Sequence, residues 1–268
     1  MDLELKGKRA LVTGSTAGIG LAVARLLSAE GAAVVVNGRT EARVGSAVAA
    51  IREAVPRADV RGVAADLGTA AGCETLARAA GEIDVLVNNV GIFEPKPFEE
   101  ITDADWMRFF ETNVLSGVRL ARSVLPGMRA RGWGRIVFVS SESGLQIPVE
   151  MIHYGMTKTA QIAVARGLAE ASVGTGVTVN SVLPGPTASE GVATFVEQMA
   201  KARGVDFASM EREFFETARP SSLLKRFATP DEVAAMIVYV CSARASATNG
   251  AALRVDGGVD HGDRKSVV

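Results

Sequence analysis

Seven short apolar runs alternate along this chain with longer stretches in which apolar residues recur every three or four positions, and that alternation constrains the fold more than any other feature. The runs are "RALVTG" (9–14), "AAVVVNG" (32–38), "ADVRGVAAD" (58–66), "IDVLVNN" (83–89), "GRIVFVSS" (134–141), "GVTVNSVLPG" (176–185) and "AALRVDGG" (251–258). They are almost continuously apolar and rich in β-branched residues, which predicts strands buried on both faces of a parallel sheet. Between them, "IGLAVARLLSAEG", "ADWMRFFETNVLSGVRLARSVLPGMRARG", "YGMTKTAQIAVARGLAEASVG" and "PDEVAAMIVYVCSA" carry the helical period and predict helices laid on that sheet. The expected architecture is α/β: a doubly wound parallel sheet of about seven strands flanked by helices on both faces, in a single domain over residues 1–268. Ligands of such sheets bind outside the carboxyl ends of the strands.

One segment breaks the alternation. From Pro186 to Pro230 the chain leaves the sixth strand and returns only at the last helix. An excursion of this length predicts a lid or binding loop over about 186–222 with its own helices, whose apolar residues Phe195, Met199, Phe207, Phe214 and Phe215 face inward; a helical hairpin that only packs a neighbouring subunit is the alternative. The formal net charge of −1 leaves no basic surplus for a phosphate backbone, so no nucleic acid partner is expected. Cys73 and Cys241 are the only cysteines and His153 and His261 the only histidines. Neither a disulfide framework nor a metal centre is expected, and a cytoplasmic location is. No apolar run approaches the ~20 residues that span a bilayer, so no membrane association is expected.

"LVTGSTAGIG" places Gly14, Gly18 and Gly20 where the first strand turns into the first helix. Glycines there permit a tight turn and let backbone N–H groups approach a pyrophosphate, although such a turn can also serve packing alone. In "HYGMTK", Tyr154 and Lys158 stand four apart at a helix start and so share one face. Ser141, thirteen residues upstream, ends the fifth strand at the carboxyl edge of the sheet, and this spacing favours it over Ser140. A phenol with a pKa near ~10 is a poor base at neutral pH, but a nearby ammonium together with an oxidised nicotinamide could lower that value by ~2 units, which takes about 3 kcal/mol. Tyr154 would then serve as general acid or base while the serine hydroxyl holds a carbonyl or alcohol oxygen against it. His153 is expected at the helix start lining the pocket rim, and Asp256 as a structural turn residue.

These residues together resemble the short-chain dehydrogenase/reductase family over nearly the whole chain: "TGSTAGIG", "NNVG" (with Val90 where alanine is commoner), "ETNV", "SSESG", "YGMTK", "LPG" and "LRVDGG". The resemblance implies a Rossmann-type fold and the catalytic set Asn113, Ser141, Tyr154 and Lys158, with Asn113 similar to a helix asparagine that holds a proton-relay water. It also implies a nicotinamide cofactor held by Gly14, Ser15, Thr16, Gly18, Ile19 and Gly20 of the turn. Asp66 near the adenine, Leu67, Asn88, Gly91, Tyr154, Lys158, Pro184, Gly185 and Thr187 near the carboxamide would complete that site.

In dinucleotide folds an acidic residue about 20 positions beyond the glycine turn selects NAD. Eighteen positions beyond Gly20 this chain has Gly38, flanked by Asn37 and Arg39. No carboxylate is present to repel a 2′-phosphate, and the Arg39 guanidinium can meet one, so NADP(H) is the expected cofactor with NAD(H) possible; otherwise Arg39 is only a polar strand end. On this reading Arg39→Ala erases the preference and Gly38→Asp reverses it. The expected reaction moves a hydride between the nicotinamide and a small carbonyl compound or secondary alcohol. That substrate is expected to be apolar, from a lining of Phe93, Leu145, Val149, Met151, Val192, Val196, Phe214 and Phe215. Alternatives are a catalytically idle nucleotide-sensing regulator, or an epimerase or dehydratase on the same fold. The resemblance further implies a homotetramer or homodimer in which helices at about 104–130 and 154–172 meet their symmetry mates; Gly117, Ala121, Ala160, Ala163 and Gly167 would allow close approach there, and packing on the chain's own sheet explains them equally well.

Overall fold

The computed structural model describes residues 1–189 and 206–260. In chain order the elements are β1 (Arg9–Val12), α1 (Gly18–Ala29), β2 (Ala33–Gly38), α2 (Glu41–Ala54), β3 (Val60–Ala64), α3 (Ala70–Ala80), β4 (Val85–Asn88), α4 (Asp103–Phe110), α5 (Ser116–Ala130), β5 (Gly134–Val139), α6 (Ile152–Glu170), β6 (Val177–Pro184), α7 (Phe207–Thr217), α8 (Pro230–Cys241) and β7 (Ala252–Val255). All seven expected strands form, and they pair in parallel in the order β3-β2-β1-β4-β5-β6-β7.

The continuous apolar runs resolve into two interleaved faces because successive strand side chains point to opposite sides. Val12, Val34, Val36, Val85, Val87 and Val137 pack on one side with Val23 and Leu27 of α1, Ile51 of α2 and Ile237 of α8. Leu11, Val35, Leu86, Ile136 and Phe138 pack on the other with Leu76 of α3 and Leu120 and Met128 of α5. Each such side chain, fully buried, contributes about 1.5–3 kcal/mol, and the two cores together hold the sheet in one register. Among the described residues no helix is long and apolar enough to cross a membrane.

The helix expected over 104–130 is interrupted. Between α4 and α5 the backbone makes a π-helical turn, Glu111–Leu115, that carries Asn113. Turns of this kind swell a helix locally and re-aim the side chains on it. On α5, Gly117 and Ala121 face the sheet: a Cβ at Gly117 would lie 2.7 Å from Phe138 Cε1, and Ala121 belongs to the core. Their small size is therefore used within the chain, not toward a symmetry mate. Ala163 and Gly167 lie exposed on α6, with nothing within 4 Å of a Cβ at Gly167.

Of the long excursion, α7 is described. It buries Met210 and Phe215 against Phe227, and the Phe214 and Phe227 rings lie 5.2 Å apart. Val192, Phe195, Val196, Met199 and, near the C-terminus, His261 lie outside the described residues.

Candidate active site

The strand order reverses between β1 and β4, and the loops at the carboxyl ends of β1, β4, β5 and β6 open there onto a cleft of about 580 Å³. Such a switch point is where an open α/β sheet leaves room for a ligand. Helices α2, α3, α4 and α8 begin with a threonine that accepts a backbone N–H, whereas α1 begins after Ala17 with no side-chain cap. Its first N–H groups are thus left for another acceptor. Gly14 turns the chain toward them with φ of +58°, a left-handed conformation costly for any residue with a Cβ. Ala17, Gly18 and Ile19 then line the cleft opposite Pro184, Gly185 and Thr187 of the β6 end. An uncapped helix N-terminus behind a glycine turn, opening onto this cleft, suits the pyrophosphate of a nicotinamide dinucleotide.

Several expected cofactor residues are placed elsewhere. The Ser15 hydroxyl is used within the turn, donating to the Val12 carbonyl at 2.6 Å and accepting from the Asn37 N–H at 2.9 Å. Asn88 is buried, off the cleft, and without a partner for its amide among the described residues; Asn89 lines the cleft instead and donates to the Thr13 and Gly14 carbonyls at 3.0 Å each. Leu67 belongs to the core behind β3, and Asp66 is exposed beside it, accepting from the Gly68 N–H at 3.0 Å. The Asp256 carboxylate accepts from the N–H groups of Gly258 and Asp260 and so holds a turn.

At the end of β2, Asn37 is locked into the scaffold, its amide donating to the Val63 and Ala65 carbonyls at 3.2 Å each. Arg39 is exposed, with no partner among the described residues. A Cβ at Gly38 would lie 2.4 Å from Thr16 Cγ2, so any side chain there requires Thr16 to shift. The reversal expected of Gly38→Asp therefore depends on Thr16 giving way.

Ser141, Tyr154 and Lys158 line the cleft together. Ser140 donates its hydroxyl to the Lys158 carbonyl at 2.7 Å, which fastens α6 to β5 and leaves Ser141 as the hydroxyl not tied to that helix. Lys158 Nζ sits 5.5 Å from the Tyr154 ring centre and donates to the Val139 carbonyl (3.0 Å) and Gln161 Oε1 (3.2 Å). Burial pushes the Lys158 ammonium down to about 8, against the pull of the Glu142 carboxylate. Burial first, and Glu142 second, push the Tyr154 phenol above its ordinary value, while a contact from Ser141 and the Arg219 charge oppose them. In the chain by itself Lys158 directs two of its donors to Val139 and Gln161, and burial outweighs the charges that would lower the phenol.

Asn113 stands behind this wall. Its side chain accepts from the Ile92 N–H at 2.8 Å and donates to the Ile92 carbonyl and Thr157 Oγ1 at 3.0 Å each, and its own carbonyl accepts from Gln161 Nε2 at 2.6 Å. Gln161, not singled out from the sequence, therefore bridges Lys158 and Asn113. Its signal was a polar residue three positions after Lys158 on the buried face of α6.

The sequence reading also missed a charged group in the cleft. Glu142, immediately after Ser141, is 5% exposed and accepts the Ser141 hydroxyl; Arg219, just past α7, lies with Nε 3.4 Å from Glu142 Oε1 and Nη1 3.4 Å from Glu150 Oε1. Of the expected apolar lining, Phe93, Met151 and Phe214 do face the cleft. Leu145 and Val149 are exposed away from it and Phe215 lies in the aromatic cluster of α7, while Val192 and Val196 fall outside the described residues. His153 is not on the rim. It is fully buried, its ring centre 4.0 Å from that of Phe109, and neither ring nitrogen has a partner among the described residues.

Comparison with known proteins agrees with this geometry. Residues 8–200 match the short chain dehydrogenase family. The uncharacterized oxidoreductases YvaG and YvrD of Bacillus subtilis are 45% and 48% identical, each over 97% of this chain and 98% of its own length. The crystal structure of L-sorbose reductase from Gluconobacter frateurii, complexed with NADPH and L-sorbose, superposes with a TM-score of 0.92 at 33% identity, over 97% of this chain and 98% of that one. By sequence match, fold and the arrangement of the cleft alike, this chain belongs to the short-chain dehydrogenase family of oxidoreductases.

Proposed function

We propose that this oxidoreductase transfers a hydride between NADP(H) and a small carbonyl compound or secondary alcohol, with Tyr154 as the general acid or base. The observation that carries the reading is the convergence of Ser141, Tyr154 and Lys158 on one wall of a cleft whose opposite side is the uncapped start of α1. The dinucleotide would be held with its pyrophosphate at Ala17–Ile19 and its nicotinamide by Pro184–Thr187, and would supply or accept the hydride. A phenol held protonated by burial is suited to giving its proton to a carbonyl oxygen, and Ser141 lies beside it to hold that oxygen. Lys158, fixed by Val139 and Gln161, keeps a donor group behind the ring. Phe93, Met151 and Phe214 give the substrate an apolar wall.

The preference for NADP(H) rests on Arg39. It stands exposed at the β2 end where an NAD-selecting carboxylate is absent, and the similar sorbose reductase was solved with NADPH. The exposed Ala163 and Gly167 on α6 leave a face open to a second copy of the chain, in keeping with a homo-oligomer. Following reduced-cofactor absorbance with a panel of ketones tests the central reading, since an idle regulator or an epimerase would not oxidise NADPH net. Tyr154→Phe should reduce turnover below a few per cent of wild type while NADPH affinity stays within a few-fold. Retention of substantial turnover would remove Tyr154 from its role.

A further inference from the structure

Glu142, Glu150 and Arg219 form a charged group inside the cleft, and hydride transfer to a simple ketone uses none of them. Glu142 is 5% exposed, so its carboxylate is kept from water at a cost that packing alone would not select. Its position is more specific still. One carboxylate oxygen accepts the hydroxyl of Ser141, and the other faces Arg219 at 3.4 Å, long for a charge-assisted bond, so accepting capacity remains.

Ser141 sets a short ruler. Ser141 carries one proton: in the free cleft it goes to Glu142, and a carbonyl oxygen that takes it leaves the carboxylate oxygen, about 4.4 Å away across Ser141 Oγ at a tetrahedral angle, one donor short. An oxygen on the carbon adjacent to the reacting one lies about 2.8 Å from the reacting oxygen, and so falls within hydrogen-bond reach of the carboxylate as well. A hydroxyl there can donate to Glu142. A substrate carboxylate there would meet two carboxylates, Glu142 and Glu150, and only one guanidinium already shared between them.

Resting on the oxidoreductase reading above, we propose that Glu142 is a specificity-determining residue that recognises a hydroxyl on the carbon next to the reacting carbonyl, so that the preferred substrates are α-hydroxyketones and the vicinal diols they become. Arg219 holds the Glu142 carboxylate in place from the end of α7 and lowers the cost of its burial. The apolar wall of Phe93, Met151 and Phe214 then receives the remainder of the molecule.

The test compares substrates that differ by one group. With the full chain and NADPH, kcat/KM is measured for 3-hydroxybutan-2-one, for butan-2-one, which lacks the neighbouring hydroxyl, and for 4-oxopentanoate, which carries a carboxylate. The hydroxyketone should exceed butan-2-one by about 10- to 100-fold, the value of one hydrogen bond to a charged acceptor, and should exceed the acid as well. In Glu142→Gln the ratio of hydroxyketone to butan-2-one should collapse to within a few-fold. The limb of the pH–rate profile set by the phenol should also move to lower pH, since Tyr154 and Lys158 from α6, Arg219 and Glu150 all remain and only the Glu142 charge is gone. Equal kcat/KM for the first pair in the wild type overturns the proposal without needing any variant. Preference for 4-oxopentanoate overturns it too and makes Arg219 a carboxylate anchor. If the ketones are reduced in either of these patterns the oxidoreductase reading stands, whereas no NADPH oxidation with any carbonyl compound would bring down that reading and this proposal together.

Discussion

Replacing Gly38 by aspartate should fail to convert cofactor preference unless Thr16 is trimmed with it. The Cβ of a residue at 38 would lie 2.4 Å from Thr16 Cγ2 and 3.3 Å from Val44 Cγ2, and contacts below 3.0 Å require a neighbour to move. The backbone at Thr16 is held by the adjacent Ser15, fastened to Val12 and to Asn37, so relief has to come from the Thr16 side chain. Overpacking of this kind costs about 1–3 kcal/mol. At roughly 2–4 °C per kcal/mol for a chain of this size, Gly38→Asp should lower Tm by about 2–12 °C. Thr16→Ser removes the colliding methyl, so the double variant should regain most of that loss, a coupling of about 1 kcal/mol or more between the sites. Only then should the new carboxylate reach a ribose and favour NADH. Arg39→Ala meets no such obstacle and should weaken NADPH binding by about 10- to 100-fold while leaving NADH within about two-fold. Thermal unfolding of the wild type, both single variants at 16 and 38 and the double variant gives the coupling, and fluorescence titration with NADPH and NADH gives the preferences. A Gly38→Asp protein that melts with the wild type and already prefers NADH would refute the steric argument, and an Arg39→Ala protein with unchanged NADPH affinity would refute the electrostatic one.

Gln161→Leu should leave the Asn113 carbonyl unpartnered and the Lys158 ammonium one acceptor short, lowering stability by about 1–3 kcal/mol in urea unfolding and slowing turnover; full stability would show that the bridge between α6 and the π-helical turn is not needed. His153 is held neutral by burial, with its folded pKa below the ordinary 6.5. The unfolded chain then binds a proton that the folded one refuses, so the His153 contribution is intact above pH 6.5 and is lost as pH falls from there toward the folded value, by up to about 1.4 kcal/mol per pH unit. Urea unfolding at pH 7 and pH 5 should therefore show a smaller acid loss for His153→Leu than for the wild type, and equal losses would mean the ring is protonated without penalty. Light scattering should give two or four times the 27.9 kDa chain mass, and a mass near that of one chain would rule out the homo-oligomer.

The sequence by itself determined the sheet. Each of the seven strands is a run that sterics and hydrophobicity push toward an extended state, buried on both faces for the inner five and partly exposed at the edges β3 and β7, and the glycine turn, Tyr154 and Lys158 could be placed because they lie at fixed offsets within one turn or one helix. Offsets of that kind are local and survive any tertiary arrangement. The tertiary structure decided everything that depends on which side of an element a residue faces or on partners far away in sequence. Asn88 and Asn89 are neighbours in one motif, yet the strand's alternation buries the first and turns the second to the cleft. His153 precedes Tyr154, but one helical step of about 100° sends it into the core against Phe109. Glu142 and Arg219 are 77 positions apart, so only the return of α7 over the cleft could bring them together. The charge inside the site was invisible for that reason: a sequence shows which groups can ionise, and only the fold shows which of them share a space without water.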